Sequence, residues 1–597
     1  MTRFLLGGLA AALCLTACGS GPPPPPPQAA AGPRAPADQL IILVDQYYDD
    51  YRVLNPRPMP QGAAVRFDPG AGLDISPQFL ADSLALERRT LDAVAALPRE
   101  RLPEAAQLTY DMFKRDRELA VESFTYPAEL LPVNPFRSVP LEFARAGTGT
   151  GAFAILSAKD FDNWQLRVDD FVRWTGEAIA NMRDGLRRGY VEPRVLVTEM
   201  LPMLAALAED SPSNVFYQPL RSLPGTLEEP LRTRITEGVR SGVKNKILPA
   251  YATLRGFLRD EYLPRARQSA GLSALPLGES WYAYLIRRET ASGAKPAELH
   301  AIGLAEADRL RGRLQSLLAE AGFSGDAQAF YEAMHREPRT ASKSAEELEH
   351  FYDQLKVEAG SAIPSLFQSL PQGDFALRVL EPFREATSGA LTYQRAANRN
   401  SPAILFINTA GIGGAGVVPS IPEFLRETIP GYHLQISIQE ERTDLPGFRR
   451  HGGDPGFVEG WGMYAESLGD QLGLYRDTEA KFAALADQMQ CTAGMVVDTG
   501  IHALGWSRDQ ALAYLHAQLP IDDAGARNAV DRIIALPAEA LACALGARIL
   551  HGLRERAEQV SGAAFDLRDF HSELLGEGAM PLDILEARVN RWLKSPH

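Results

Sequence analysis

Two stretches hold the side chains best suited to chemistry. The first reads Arg426-Glu-Thr-Ile-Pro-Gly-Tyr-His433, and the second, a short polar connection later, reads Glu459-Gly-Trp-Gly-Met-Tyr-Ala-Glu466. A Glu and a His on one helix, followed about one helix later by another Glu, is a donor pattern suited to a zinc hydrolase. Imidazoles and one carboxylate hold the ion, and a second carboxylate takes a proton from metal-bound water. In that scheme Glu427 is the general base, and His433 and Glu459 are the remaining metal ligands. The position before Glu427, where a first imidazole belongs, is Arg426. A guanidinium stays protonated and cannot ligate zinc. Glu466 follows Glu459 by seven residues, roughly 10 Å along a helix. That is too far for both to reach one ion, so Glu466 reads as an outer contact. Pro430 and Gly431 should bend or interrupt the helix that carries Glu427.

These residues resemble the motif of a bacterial family, the domain of unknown function 885 family, which is itself similar to the glutamate-type zinc peptidases. The family pattern is His-Glu-x-x-Pro-Gly-His-His, then Glu-Gly-Trp-Ala-Leu-Tyr-Ala-Glu. Glu427, Pro430, Gly431, His433, Glu459, Gly460, Trp461, Tyr464 and Glu466 match it, whereas Arg426 and Tyr432 stand where the pattern has histidines. Gly271 to Gly278, Trp281 to Tyr284 and Val496 to Trp506 look like further signatures. The resemblance implies a mainly α fold, a large multi-helix zinc-peptidase-like body with a small β-sheet next to the central site helix. It also implies that Asp498 and His502, four residues apart and so able to share a helix face, serve substrate or transition-state contacts. It places basic residues where this chain has Cys491 and Gly494, and Ala-Tyr-Lys where it has Ala542-Cys543-Ala544.

Removing the cation while keeping Glu427 and Glu459 would leave carboxylates converging without compensation. Arg426 can supply the charge, and the expectation is that its guanidinium enters the vacated cavity and pairs with Glu459, with Glu427 or Glu466 sharing the contact. The function expected is binding or regulation, with a peptide or protein ligand in a central cleft and no cofactor. The rival is a working hydrolase that holds zinc through unconventional ligands. His-Glu-x-x-His, Gly-x-Ser-x-Gly and phosphate-loop motifs are absent, and Gly411 to Gly416 reads as a turn.

The elements that must position these residues are mostly helices. Apolar periodicity marks helices near residues 38–51, 77–97, 103–121, 160–189, 226–260 and 296–321. After the second motif it marks 479–504, 508–517, 523–534, 538–560, 567–575 and 581–594. Residues 126–155 read as a long irregular connection. Ala403 to Asn408 gives the one strand signal, either a structural strand or an edge that aligns a substrate backbone. Trp461, Tyr464 and Leu468 form a helix-spaced stripe that belongs in the core. Cys491 and Cys543 lie in apolar helical context and read as two buried free thiols, although an oxidising compartment permits their pairing.

The amino-terminal segment carries an address. Arg3, the apolar run Phe4 to Leu15 and the sequence Leu15-Thr16-Ala17-Cys18 resemble a lipoprotein signal, with residues 1–17 removed and Cys18 lipidated. Residues 18–37, with six consecutive prolines, then form an extended tether, and residues 38–597 form the helical body, divisible into lobes 38–270 and 271–597. Gly19 after the cysteine resembles outer-membrane sorting, which places the body at the periplasmic face of that membrane. The membrane is reached through the lipid on Cys18. A net charge of −14 argues against nucleic acid as a partner.

Overall fold

The computed structural model describes residues 35–56, 73–149, 153–336, 341–380, 385, 388–396, 402–412 and 416–594. The signal segment, Cys18 and nearly all of the tether lie outside the described residues. The fold is mainly helical with one small sheet. Helices form close to where periodicity places them, among them Pro77–Ala95, Glu104–Ser123, Ala158–Arg188, Pro296–Glu320, Thr478–His502 and Leu541–Ser561. Short polar side chains start many of them. Ser157, Ser344 and Asp477 each accept the amide of the residue three positions on, satisfying one otherwise orphaned donor.

The segment 126–155 is not wholly irregular, because Val139–Gly147 is a helix. Pro140 sits in its first turn and Gly147 at its last residue, positions where these breakers are tolerated. Its apolar face docks on the long Ala158–Arg188 helix, with the rings of Phe143 and Phe171 stacked 4.2 Å apart. Helices at Arg194–Ala208, Gly278–Thr290 and Ala345–Ala362 add to those marked by periodicity.

The sheet has three strands, β1 Phe375–Val379, β2 Leu391–Gln394 and β3 Ala403–Ile407, in the order β1-β3-β2. β3 runs parallel to β1 and antiparallel to β2. The one strand legible in the sequence is thus central and has no free edge for a substrate. The edge facing the site helix belongs to β2.

One apolar core lies wholly within residues 73–266, around Phe171, Trp174, Tyr251 and Tyr262. Another gathers the sheet, Phe424, Trp461, Tyr464 and Leu468, all four of these side chains being fully buried as the stripe requires. Cys491 and Cys543 are not free thiols. They are half-buried and joined in a disulfide, because the Thr478–His502 and Leu541–Ser561 helices pack side by side and bring their Cα atoms to 6.1 Å. Among the described residues no helix is long and apolar enough to cross a membrane.

Candidate ligand cavity

The first motif folds as two helices separated by a sharp break. Ile421–Glu427 begins on Ser420, whose hydroxyl accepts the Glu423 amide, and the chain restarts as Tyr432–Glu441. Pro430 and Gly431 make the break, as their types demand. A Cβ on Gly431 would lie 1.9 Å from the Arg426 carbonyl oxygen, so only glycine allows the chain to fold back this closely. The second motif is the helix Pro455–Glu466. Trp461 ties it to the break by donating its indole N–H to the Pro430 carbonyl at 2.9 Å. Gly460 lies against Gly546, where an added Cβ would meet the Gly546 Cα at 2.4 Å, so this helix and Leu541–Ser561 touch backbone to backbone.

This frame turns Arg426 inward, but not toward the expected partner. Its Nη1 donates to Glu466 Oε1 at 2.6 Å, and Glu466 is completely buried. Glu427, Glu423 and Asp487 surround the same guanidinium at 3.6, 3.8 and 3.9 Å. Glu459 is instead bonded by the Tyr432 hydroxyl at 2.7 Å. The reason is the helical register. Seven residues separate Glu459 from Glu466, so the two carboxylates sit at different depths, and Arg426 meets the deeper one while Tyr432 meets the other. Gly462 makes this possible: a Cβ there would lie 2.7 Å from the Tyr432 ring and 3.0 Å from Arg426 Cγ. Sequence reasoning missed Gly462. The signal was available, because the resembling motif has alanine at that position.

Glu427 is also occupied. Its Oε2 accepts the Tyr393 amide of edge strand β2 at 3.0 Å, as Glu423 accepts the Leu391 amide at 3.1 Å. Burial pushes the Glu427 carboxyl up to about 7, with Arg426 opposing. Burial likewise raises Glu466, again against the pull of Arg426.

His433, the candidate metal ligand retained from the motif, points away from these groups. Nε2 faces the Gly373 carbonyl at 3.1 Å and Nδ1 faces the Tyr393 hydroxyl at 3.2 Å. Burial drives the ring down to about 4, so it is neutral. A lone His next to a helix break turns where its neighbours allow, and here they leave it under the sheet.

Asp498 and His502 share a helix but do not pair. Asp498 accepts the Tyr282 hydroxyl at 2.5 Å and the Ala538 amide at 3.0 Å, and burial lifts it to about 7. His502 accepts the Leu272 amide at Nδ1 and donates from Nε2 to the Ile533 carbonyl, so both ring nitrogens are spent on backbone. Burial lowers its pKa to about 4. The two side chains thus fasten Leu272, the Gly278–Thr290 helix at Tyr282, the Asp523–Ala535 helix at Ile533 and the turn at Ala538 to one helix.

Glu423, Arg426, Glu427, Tyr432, Glu459 and Asp487 line one end of an interior cavity of about 1490 Å³. Glu459 is exposed, but to this cavity. His502, Leu272 and Glu192 line it elsewhere, Tyr126, Trp281 and Tyr284 provide an aromatic wall, and the Cys491–Cys543 disulfide is part of its surface.

Two solved structures share this fold. One is "the putative lipoprotein from Colwellia psychrerythraea", with a TM-score of 0.81 and 22% identity, over 94% of this chain and all of that one. The other is "a putative lipoprotein of unknown function from Shewanella oneidensis", with a TM-score of 0.65 and 14% identity, over 93% of this chain and all of that one. No curated protein matches. The match to bacterial protein of unknown function DUF885 runs over residues 69–589, nearly the whole helical body, and the chain therefore belongs to that family.

Proposed function

We propose that this protein is a tethered binding protein that holds an extended peptide in its interior cavity, on a zinc-peptidase-like body whose metal centre is degenerate. The observation that carries the reading is the filling of two ligand positions by non-ligands. Arg426 and Tyr432 face Glu466 and Glu459, while the one remaining motif histidine faces the sheet. The donor set therefore does not fit zinc: two carboxylates, a phenol and a guanidinium would surround the ion. Glu427 is also poorly placed as a base, since one of its oxygens accepts a strand amide and Arg426 lies 3.6 Å from the other.

Peptide binding is supported by the shape of the cavity. Asp487 and His502 both line it and lie fifteen residues apart on one helix, which makes it about 22 Å long. An extended chain advances about 3.3 Å per residue, so about six residues fit. Where the family resemblance places basic residues and a tyrosine, the cavity wall here is Gly494 and the Cys491–Cys543 disulfide. Lipid on Cys18 and the proline tether would hold this body at the periplasmic face of the outer membrane, and replacing Cys18 by Ser should release it from membranes.

The test combines elemental analysis of the purified protein with mass spectrometry of peptides retained from a random hexapeptide pool. Sub-stoichiometric zinc and intact retained peptides are expected. Near-stoichiometric zinc with cleaved peptides would establish the hydrolase reading instead, and no retention would remove peptides as the ligand.

A further inference from the structure

Far from the two motifs, the cavity wall carries polar groups that the fold leaves unspent. Glu192 lines the cavity and is only 8% exposed. Its backbone is fully engaged, the amide donating to the Tyr262 hydroxyl at 2.8 Å and the carbonyl accepting the Arg267 amide at 3.2 Å. Its carboxyl is not: among the described residues none forms a hydrogen bond or an ion pair with it, although Arg267 acts on it through space. A carboxyl buried this deeply without a partner is costly, and a ligand group entering the cavity would relieve that cost. Arg267 is brought beside it by a backbone bridge to Pro193 and lines the same cavity. Its guanidinium is fixed from one side, Nε donating to the Val191 carbonyl at 2.7 Å and Nη1 to the Gly271 carbonyl at 2.8 Å, while Nη2 has no partner among the described residues. Gly271 leads into Leu272, whose amide donates to His502, fifteen residues along the helix from Asp487. On the adjoining wall Trp281, 7% exposed, packs its ring 6.4 Å from that of Tyr190, two residues before Glu192, and its indole N–H is likewise unpaired among the described residues.

We propose that Glu192 and Arg267 bind a carboxylate of the ligand at this end of the cavity. The proposal rests on the peptide reading above and names the chemistry that anchors such a peptide. Its source is either the C-terminus or an acidic side chain. With the C-terminus as source, the peptide also has a direction, its carboxylate beside Glu192 and its chain running toward Arg426. An ammonium fits less well, because a guanidinium and an indole N–H offer it no acceptor and the Arg267 charge repels it. A carboxylate gains that charge, and its several lone pairs can take N–H donors from both walls.

The protonation of Glu192 agrees with this geometry. Facing its carboxyl are Arg267 and the Tyr262 hydroxyl, which burial keeps neutral, and beyond Arg267 lies His502, also neutral. Burial outweighs the pull of Arg267 and pushes Glu192 up to about 8. Below that pH the carboxyl is an O–H donor to a ligand carboxylate, and above it the two are like charges. Binding selects the protonated form, so it should weaken as pH rises through about 8.

Calorimetric titration of the purified protein tests this with hexa-alanine, its C-terminal amide, its N-acetylated form, an amidated form ending in glutamate, and n-butyrate alone. At pH 7 hexa-alanine should bind about tenfold tighter than its amide, the worth of one charge-assisted hydrogen bond, and no tighter than its N-acetylated form. Glu192→Leu should erase the difference between acid and amide while its thermal unfolding shows it folded. Glu192→Gln keeps a donor that does not titrate, so it should hold the acid as tightly at pH 9 as at pH 7, where the wild type loses about tenfold. Recovery of affinity by the glutamate peptide identifies the side chain as the source, and its failure to recover identifies the C-terminus. Equal binding of acid and amide, a loss on N-acetylation instead, or a difference that survives Glu192→Leu overturns the carboxylate site and leaves the peptide reading standing. If no peptide binds, n-butyrate decides: binding that is lost in Glu192→Leu upholds the carboxylate site while the peptide reading falls, and no binding defeats both.

Discussion

Arg426→Ala should destabilise the fold by about 3 kcal/mol at pH 8, and Glu466 is the reason. Nη1 and Oε1 are 2.6 Å apart, which puts the charge centres about 4 Å apart. At an effective dielectric of about 20 that attraction is worth about 4 kcal/mol. Truncating one member of a buried pair commonly costs about 3–5 kcal/mol. Arg426 keeps 23% side-chain exposure to the cavity, so the lower end applies. Burial holds the stranded Glu466 carboxyl above its unfolded value of about 4.3. The folded variant then binds more protons than the unfolded chain, so its stability falls as pH rises through that window. The loss should accordingly be smaller at pH 5 than at pH 8. Urea unfolding followed by tryptophan fluorescence and circular dichroism measures it. Adding Glu466→Gln to Arg426→Ala should recover about 2 kcal/mol of coupling, whereas adding Glu459→Gln should be additive within about 0.5 kcal/mol. Coupling of Arg426 to Glu459 rather than to Glu466, or a loss that does not change with pH, would refute the arrangement.

Three further outcomes follow from the same geometry. Gly462→Ala places a methyl 2.7 Å from the Tyr432 ring, so it should cost about 1–2 kcal/mol in urea unfolding despite alanine's better helix propensity. In a Tyr432→Ser background it should be neutral or stabilising. Tyr432→Phe removes the hydroxyl on Glu459, and since cavity water can rehydrate that carboxylate the loss should stay near 1 kcal/mol. A denaturant midpoint equal to wild type would show that the bond is not formed. Cys491→Ser with Cys543→Ser opens a link across a sequence separation of 52, worth about 4 kcal/mol by loop closure. Reduction of the wild type should shift the unfolding midpoint by the same amount, and no shift would show that the thiols are unpaired in solution.

The helices were legible because their signal is local. Val168, Phe171, Thr175 and Met182 on Ala158–Arg188 recur at helical spacing and are all buried, and Ser157 marks the start. The three-stranded sheet was legible only in part. β3 has five strongly β-favouring or apolar residues, whereas β2 is the short Leu-Thr-Tyr-Gln, whose place on the edge depends on donating amides to Glu423 and Glu427 from another element. The disulfide was hidden for a similar reason. Nothing in the spacing of Cys491 and Cys543 tells how two helices pack, and an apolar context suits both a free thiol and a bridge.

The site shows where reading a motif residue by residue runs out. Arg426 and Tyr432 stand out as departures from the family pattern, and the expected inward turn of the Arg426 guanidinium among carboxylates is what the structure has. Its partner is Glu466 rather than the expected Glu459, because matching the motif position by position makes Glu459 the near carboxylate and Glu466 the outer one. The restart of the helix at Tyr432, set by Gly431, decides otherwise. It sends the phenol to the upper carboxylate and leaves the guanidinium to the lower one. The Tyr432 ring would not fit over a methyl at 462 and Arg426 Cγ would have to give way slightly, so Arg426, Tyr432 and Gly462 form one steric and electrostatic unit. Each departure alone would be unfavourable: a buried Glu466 without its cation, a large ring against a Cβ, or a glycine in mid-helix with nothing to fill the space. Together they give each carboxylate of the second motif a partner, Glu466 the guanidinium and Glu459 the phenol, and that mutual dependence is the physical reason the three residues occur together.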